Sequence, residues 1–149
     1  MSIKDQLMAD MKQAMKDKEA GKMRLTVIRM VRNSIRNQEI NNKIELDDDA
    51  VLQVLMKEVK MRQDSLEEFK KANRAELIAQ AEEEIAILKH YLPEALSDDE
   101  LKAIVAETIA EVGAAGPKDM GKVMPKVMAK AQGRADGKRI SAMVRELLN

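Results

Sequence analysis

What most constrains this chain is what its core must do without. Among 149 residues there is no Trp, one Phe (Phe69) and one Tyr (Tyr91). A core has to be assembled from Leu, Ile, Val, Ala and twelve Met. Ala, Leu and Met, together with the Glu, Lys, Gln and Arg around them, are the good helix formers. Charged residues reach 35%, which suits the solvated faces of helices. A chain of this length buries roughly two thirds of its unfolded surface, enough for a real core. The expected fold class is all-α, with methionine as adaptable core filler.

The apolar spacing agrees. Ile3, Leu7, Met11 and Ala14/Met15 recur at three and four, so residues 2–19 read as one amphipathic helix, broken by Gly21. Leu25, Ile28, Val31 and Ile35 mark a second helix from about Lys22 to Ile40, before a turn at Asn41-Asn42-Lys43. Asp47-Asp48-Asp49 starts a third, carried by Val51, Leu55, Val59, Leu66 and Phe69. Asn73 with Glu76 has the capping-box spacing and opens a fourth, through Leu77, Ala81, Ile85, Leu88 and Leu92. Pro93 stops it, and Leu92–Leu96 reads as a linker.

Ser97-Asp98-Asp99-Glu100 is a second capping box, followed by Leu101, Ile104, Val105, Ile109 and Val112. Gly113–Pro117 is a loop. A sixth helix spans about Lys118 to Ala131, with Pro125 predicting a kink or break. Gly133–Gly137 is the next loop, and Ile140, Met143, Val144, Leu147 and Leu148 mark a last helix. The expected organisation is two helical subdomains: a four-helix bundle over residues 1–93 and a three-helix bundle over 97–149.

Several function classes lose their footing. The chain has no cysteine, so it offers neither a disulfide framework nor a thiolate. The one histidine, His90, stands at a helix end, where its charge suits the dipole, and a nucleophilic triad is not expected. Asp47-Asp48-Asp49 reads as a helix cap. Glu82-Glu83-Glu84, consecutive on a helix, points three ways rather than at a metal. Gly116-Pro117-Lys118-Asp119-Met120-Gly121-Lys122 matches the start of a phosphate-binding loop, but Val123 replaces the hydroxyl residue and no strand precedes it. No cofactor and no metal are expected. No run approaches the ~18 apolar residues of a membrane span, and the amino terminus lacks a signal or transit pattern, so the expected location is cytoplasmic.

One charge signal stands out. Residues 113–149 hold eight Lys+Arg against three Asp+Glu, whereas residues 1–112 hold 18 against 23. Lys118, Lys122, Lys126 and Lys130 fall at intervals of four, one stripe if the helix continues past Pro125. Arg134, Lys138 and Arg139 extend it. Like charges at that spacing repel, and a phosphate backbone would relieve them and release counterions. A solvated face is the bland alternative. Arg29, Arg32 and Arg36, joined by Arg24, form a lesser basic face. Neither patch has aromatics for base stacking.

The ordered motifs Tyr91-Leu92-Pro93, Leu96-Ser97-Asp98-Asp99-Glu100-Leu101, Met120-Gly121-Lys122-Val123-Met124, Gly133-Arg134-Ala135-Asp136-Gly137-Lys138 and Ile140-Ser141 resemble the GatB/YqeY family. Arg62-Gln63-Asp64-Ser65, Phe69, Asn73-Arg74, Leu77 and Glu84 resemble its amino-terminal half. The resemblance implies two all-α subdomains, the second shared with the GatB tail of aspartyl/glutamyl-tRNA amidotransferase, which helps hold tRNA and carries no chemistry. It makes Gly121, Lys122, Gly133, Arg134, Asp136 and Lys138 candidate RNA-facing residues, alongside Lys118, Lys126, Lys130 and Arg139 from the charge pattern. Pro125 departs from what the resemblance leads one to expect inside that helix.

The leading expectation is a tRNA-binding accessory without an active site of its own. An alternative is a component of a glutamine-dependent carbon–nitrogen ligase, with an amidotransferase or aminoacyl-tRNA synthetase as partner. A third is a helical protein–protein adaptor using Met8, Met11 and Met15.

Overall fold

The computed structural model describes residues 1–149, which form helices joined by short turns, with no strand. The all-α expectation holds. The chain divides into two compact units, Met1–Leu92 and Pro93–Asn149.

In the first unit, α1 (Ile3–Lys16) opens on a capping box. Asp5 N–H donates to Ser2 Oγ at 3.1 Å, and Ser2 N–H donates back to the Asp5 carboxylate at 3.3 Å. The helix stops earlier than its apolar spacing suggests, because Lys18 takes a left-handed φ of 52° and the chain turns through Lys18–Gly21. Gly21 does more than break a helix. A Cβ there would overlap the carbonyl oxygen of Ala14, so α1 and the turn approach too closely for any side chain.

Helix α2 (Lys22–Asn42) runs two residues past its expected end at Ile40, and Lys43 caps it in the left-handed region. Helix α3 (Asp48–Lys71) is capped by Asp47, which accepts from Ala50 N–H at 2.9 Å. Asp48 meanwhile accepts from Ile3 N–H at 3.0 Å and ties the starts of α1 and α3 together. Helix α4 spans Ala75–Lys89.

The capping box expected at Asn73 is absent. Asn73 has φ 54°, and Arg74 N–H reaches back to the Phe69 carbonyl at 3.0 Å. Asparagine tolerates the left-handed conformation, and here it terminates α3 instead of starting α4. Leu7, Val31, Val51, Leu55 and Leu88, each at most 1% exposed, form the centre of this unit's core.

In the second unit, α5 (Asp98–Val112) carries the expected box, with Glu100 N–H donating to Ser97 Oγ at 3.1 Å and Ser97 N–H to the Glu100 carboxylate at 3.3 Å. Gly113 ends the helix at φ 67°, a conformation glycine adopts without strain. A short turn, Pro117–Asp119, leads into α6 (Met120–Ala131), and α7 (Gly137–Leu148) follows a loop. Val105, Val123, Val127, Ile140 and Val144 are fully buried among the three helices.

Pro125 does not break α6. The proline removes one hydrogen bond to the carbonyl four residues back, that of Gly121. Gly121 and Pro125 are both exposed, so water can take that bond's place.

Candidate nucleic-acid interface

The charge asymmetry read from the sequence does not survive the fold. Its boundary at residue 112 falls at the end of α5, inside the second unit. Counted by unit, Met1–Leu92 has 17 Lys+Arg and 17 Asp+Glu, and Pro93–Asn149 has nine of each. The positive tail packs beside an acidic helix of its own unit. Any interface must come from local placement.

Helix α6 supplies that placement unevenly. Because it is continuous, Lys122, Lys126 and Lys130 share one face, and Lys118 stands on the turn just before it. Lys118, Lys122 and Lys126 are exposed. Lys122 Nζ lies 3.8 Å from Asp119 but keeps a side chain 71% exposed, and such a pair is weak in water. The Asp119 carboxylate is engaged elsewhere: it accepts from Ala115 N–H at 2.8 Å, which, with Lys122 and Lys118 nearby, holds its pKa below the usual range.

Lys130 differs. Its ammonium lies 2.6 Å from Glu111, 3.1 Å from the Thr108 hydroxyl and 4.0 Å from Glu107. The hydrogen bond with Glu111 raises the Lys130 pKa and lowers that of Glu111. Lys130 clamps α6 to α5.

The loop residues also face inward to the fold. Gly133 is buried with φ 78°. Arg134 Nε donates to the Glu94 carbonyl at 2.8 Å, its own carbonyl accepts from Leu96 N–H at 2.8 Å, and its guanidinium lies 3.5 Å from Glu100. Asp136 caps α7 by accepting from Arg139 N–H at 2.8 Å. The Arg139 side chain donates to the Leu96 carbonyl at 2.9 Å and to Asp98 at 3.0 Å. Arg134 and Arg139 thus fasten the segment before α5 to the loop and the start of α7, while Asp136 caps α7. Gly121 is exposed with open space where a Cβ would stand, and Lys138 is exposed in the first turn of α7.

Sequence reasoning missed the partners. Glu100, Glu107 and Glu111 recur at seven and four along α5, and each meets a cation of α6 or the following loop. That spacing was a signal for an acidic face.

The remaining candidates are structural. His90 is the exposed C-terminal cap of α4, its ring edge-on to Tyr91 at 5.4 Å. Burial and the bond its hydroxyl donates to Asp10 push the Tyr91 pKa up. Glu84 lies 3.5 Å from Arg62 Nε. No group of three or more His, Asp or Glu side chains is placed to hold a metal. No helix is long and apolar enough to cross a membrane.

Comparison with known proteins adds the family. A profile described as Yqey-like protein matches residues 4–148. The protein named altered inheritance of mitochondria protein 41, mitochondrial, from Lachancea thermotolerans is 36% identical over 114 residues, 74% of this chain and 60% of its own length. The Kluyveromyces lactis protein of that name is 36% identical over 115 residues, and the Candida glabrata protein 30% over 115. The chain spans about three fifths of the length of these relatives. Their names overturn the cytoplasmic expectation, since each is called mitochondrial. The amino-terminal pattern behind that expectation is the Ser2–Asp5 cap of α1, and a helix cap carries no address.

Proposed function

This chain belongs to the YqeY-like protein family, and on that premise we propose that it is a non-catalytic RNA-binding accessory, with tRNA the class of RNA it contacts. The observation that supports this reading is the exposed row Lys118, Lys122 and Lys126, standing on and just before a helix that stays continuous through its proline. The row is shorter than the sequence implied, because Lys130, Arg134 and Arg139 are engaged in holding the unit together. Without aromatics beside it, the row recognises phosphate and shape rather than stacked bases. In this reading, any amide transfer is performed by an amidotransferase or synthetase-like partner, and this chain contributes contact with the RNA.

The test is a triple reversal, Lys118→Glu, Lys122→Glu and Lys126→Glu, with tRNA affinity measured at fixed salt. The reading expects affinity to fall at least tenfold while the melting temperature stays within a few degrees. Unchanged affinity in a folded variant removes the proposal.

A further inference from the structure

The lesser basic face and two of the α1 methionines, Met8 and Met11, separate features in the sequence, share one groove. It lies between α1 and α2 within the first unit, with a volume of about 720 Å³. Met8 and Met11 line one wall, and Arg29, Arg32 and Arg36 line the other. The arginines fall at intervals of three and four, so they stand on one face of α2. We propose that this groove is a docking site for an acidic amphipathic helix of a partner protein.

The charge of the groove is unspent. Arg24 on the same helix is paired with Asp17, whereas none of the three groove arginines forms an ion pair. Arg32 instead places a guanidinium nitrogen 3.0 Å from Met11 Sδ, and Arg29 one 4.0 Å from Met15 Sδ. A thioether is a weak acceptor and neutralises nothing. The groove's own carboxylates are committed elsewhere. Glu39 pairs with Lys4 and accepts from Leu46 N–H at 2.8 Å, and Asp5 closes the cap of α1.

Charge complementarity and the apolar wall together select the occupant. From Arg29 to Glu39, α2 advances about 15 Å, or roughly three helical turns. Carboxylates at intervals of three and four on a helix laid alongside meet three guanidiniums in register, and arginine suits carboxylate geometry. The apolar face of that helix would rest on Met8, 37% exposed, and on half-buried Met11, whose thioethers adapt to a partner's shape. An RNA backbone would use the arginines and leave the methionines wet.

The experiment titrates the full chain with a synthetic helical 15-residue peptide bearing Glu on one face and Leu on the other. Its controls are a peptide of scrambled order and identical composition, a version with Lys for Glu, and tRNA. Amide shifts confined to α1 and α2, binding at least tenfold weaker to the scrambled peptide, and a tenfold or greater loss in Arg29→Glu/Arg36→Glu support the proposal. Met8→Glu should weaken binding as well. Both arginines are exposed, and Arg29→Gln/Arg36→Gln reads the same loss if the reversal perturbs folding. Equal binding of the scrambled peptide, no binding, or tRNA displacing the peptide from α1 and α2 overturns it. The Lys118/Lys122/Lys126 reversal should leave peptide binding intact, so this groove and the RNA row fail or stand separately.

Discussion

The two units use arginine at opposite depths. In Met1–Leu92, Arg62 is folded into the interior at 8% exposure, 2.7 Å from Glu58 and 3.5 Å from Glu84, with the Ser34 hydroxyl donating to Glu58 at 3.0 Å. In Pro93–Asn149 the core is aliphatic apart from Thr108, and Arg134 and Arg139 work at its rim, bonded to backbone carbonyls and exposed carboxylates. The same residue type therefore carries different consequences. A buried guanidinium, once removed, strands the buried Glu58 carboxylate away from water and leaves half-buried Glu84 without its cation. A rim guanidinium, once removed, leaves groups that water can reach.

The largest expected effect follows from that contrast. Arg62→Ala should cost about 3–5 kcal/mol, because it leaves a buried pair broken. Arg139→Ala should cost about 1 kcal/mol, the scale of a partly exposed pair and one hydrogen bond. Denaturant unfolding of the full chain measures both, and comparable losses would break the comparison.

Glycine sharpens it next. Gly21→Ala drives a methyl into the Ala14 carbonyl and should cost about 3 kcal/mol. Gly113→Ala meets open space and pays only for its left-handed φ, about 1 kcal/mol. If Gly113→Ala is the worse of the two, the close approach in the first unit is not what fixes Gly21.

The smallest effect is in pH. Lys130 lowers the Glu111 pKa, and the Ser97 cap followed by Arg134 lowers that of Glu100. Through the ordinary glutamate range near pH 4 the unfolded chain binds more protons than the folded one. Stability is therefore fully present above that range and is lost as pH falls through the lowered folded values. Lys130 works in the other direction: its raised pKa gives stability that is present below the ordinary lysine value, about 10.4, and lost as pH rises through the folded value. Glu111→Gln should flatten both ends of the stability–pH profile slightly, and an unchanged profile would show that the Lys130 clamp contributes nothing.

Local signals were legible where local chemistry decides the outcome. Ser97 and Glu100 announced their capping box, and the three-and-four spacing of Leu101, Val105, Ile140 and Val144 announced a buried face. Asn73 misled because one residue type serves both a helix start and a left-handed stop, and which it serves depends on the turn that follows. Of the kink or break expected at Pro125, the break does not occur, and the cost of a helix proline depends on whether the freed carbonyl reaches water. The interface was only partly legible. Lys130 with Glu111, Arg134 with Glu100 and Arg139 with Asp98 are separated by 19 to 41 residues, and only packing decides which cations meet acids. The row left over, Lys118, Lys122 and Lys126, could not be told from its neighbours by spacing.

That division of the cations is tested most directly by the salt dependence of tRNA affinity. A row of three exposed lysines predicts that affinity falls by about 2–3 log units per tenfold rise in salt, at 0.7–0.9 for each phosphate neutralised. Lys118→Gln/Lys122→Gln/Lys126→Gln should bring the slope close to zero. A wild-type slope of about 5 or more that drops when Lys130, Arg134 and Arg139 are replaced by Gln would contradict the account, as would a slope the triple variant leaves unchanged.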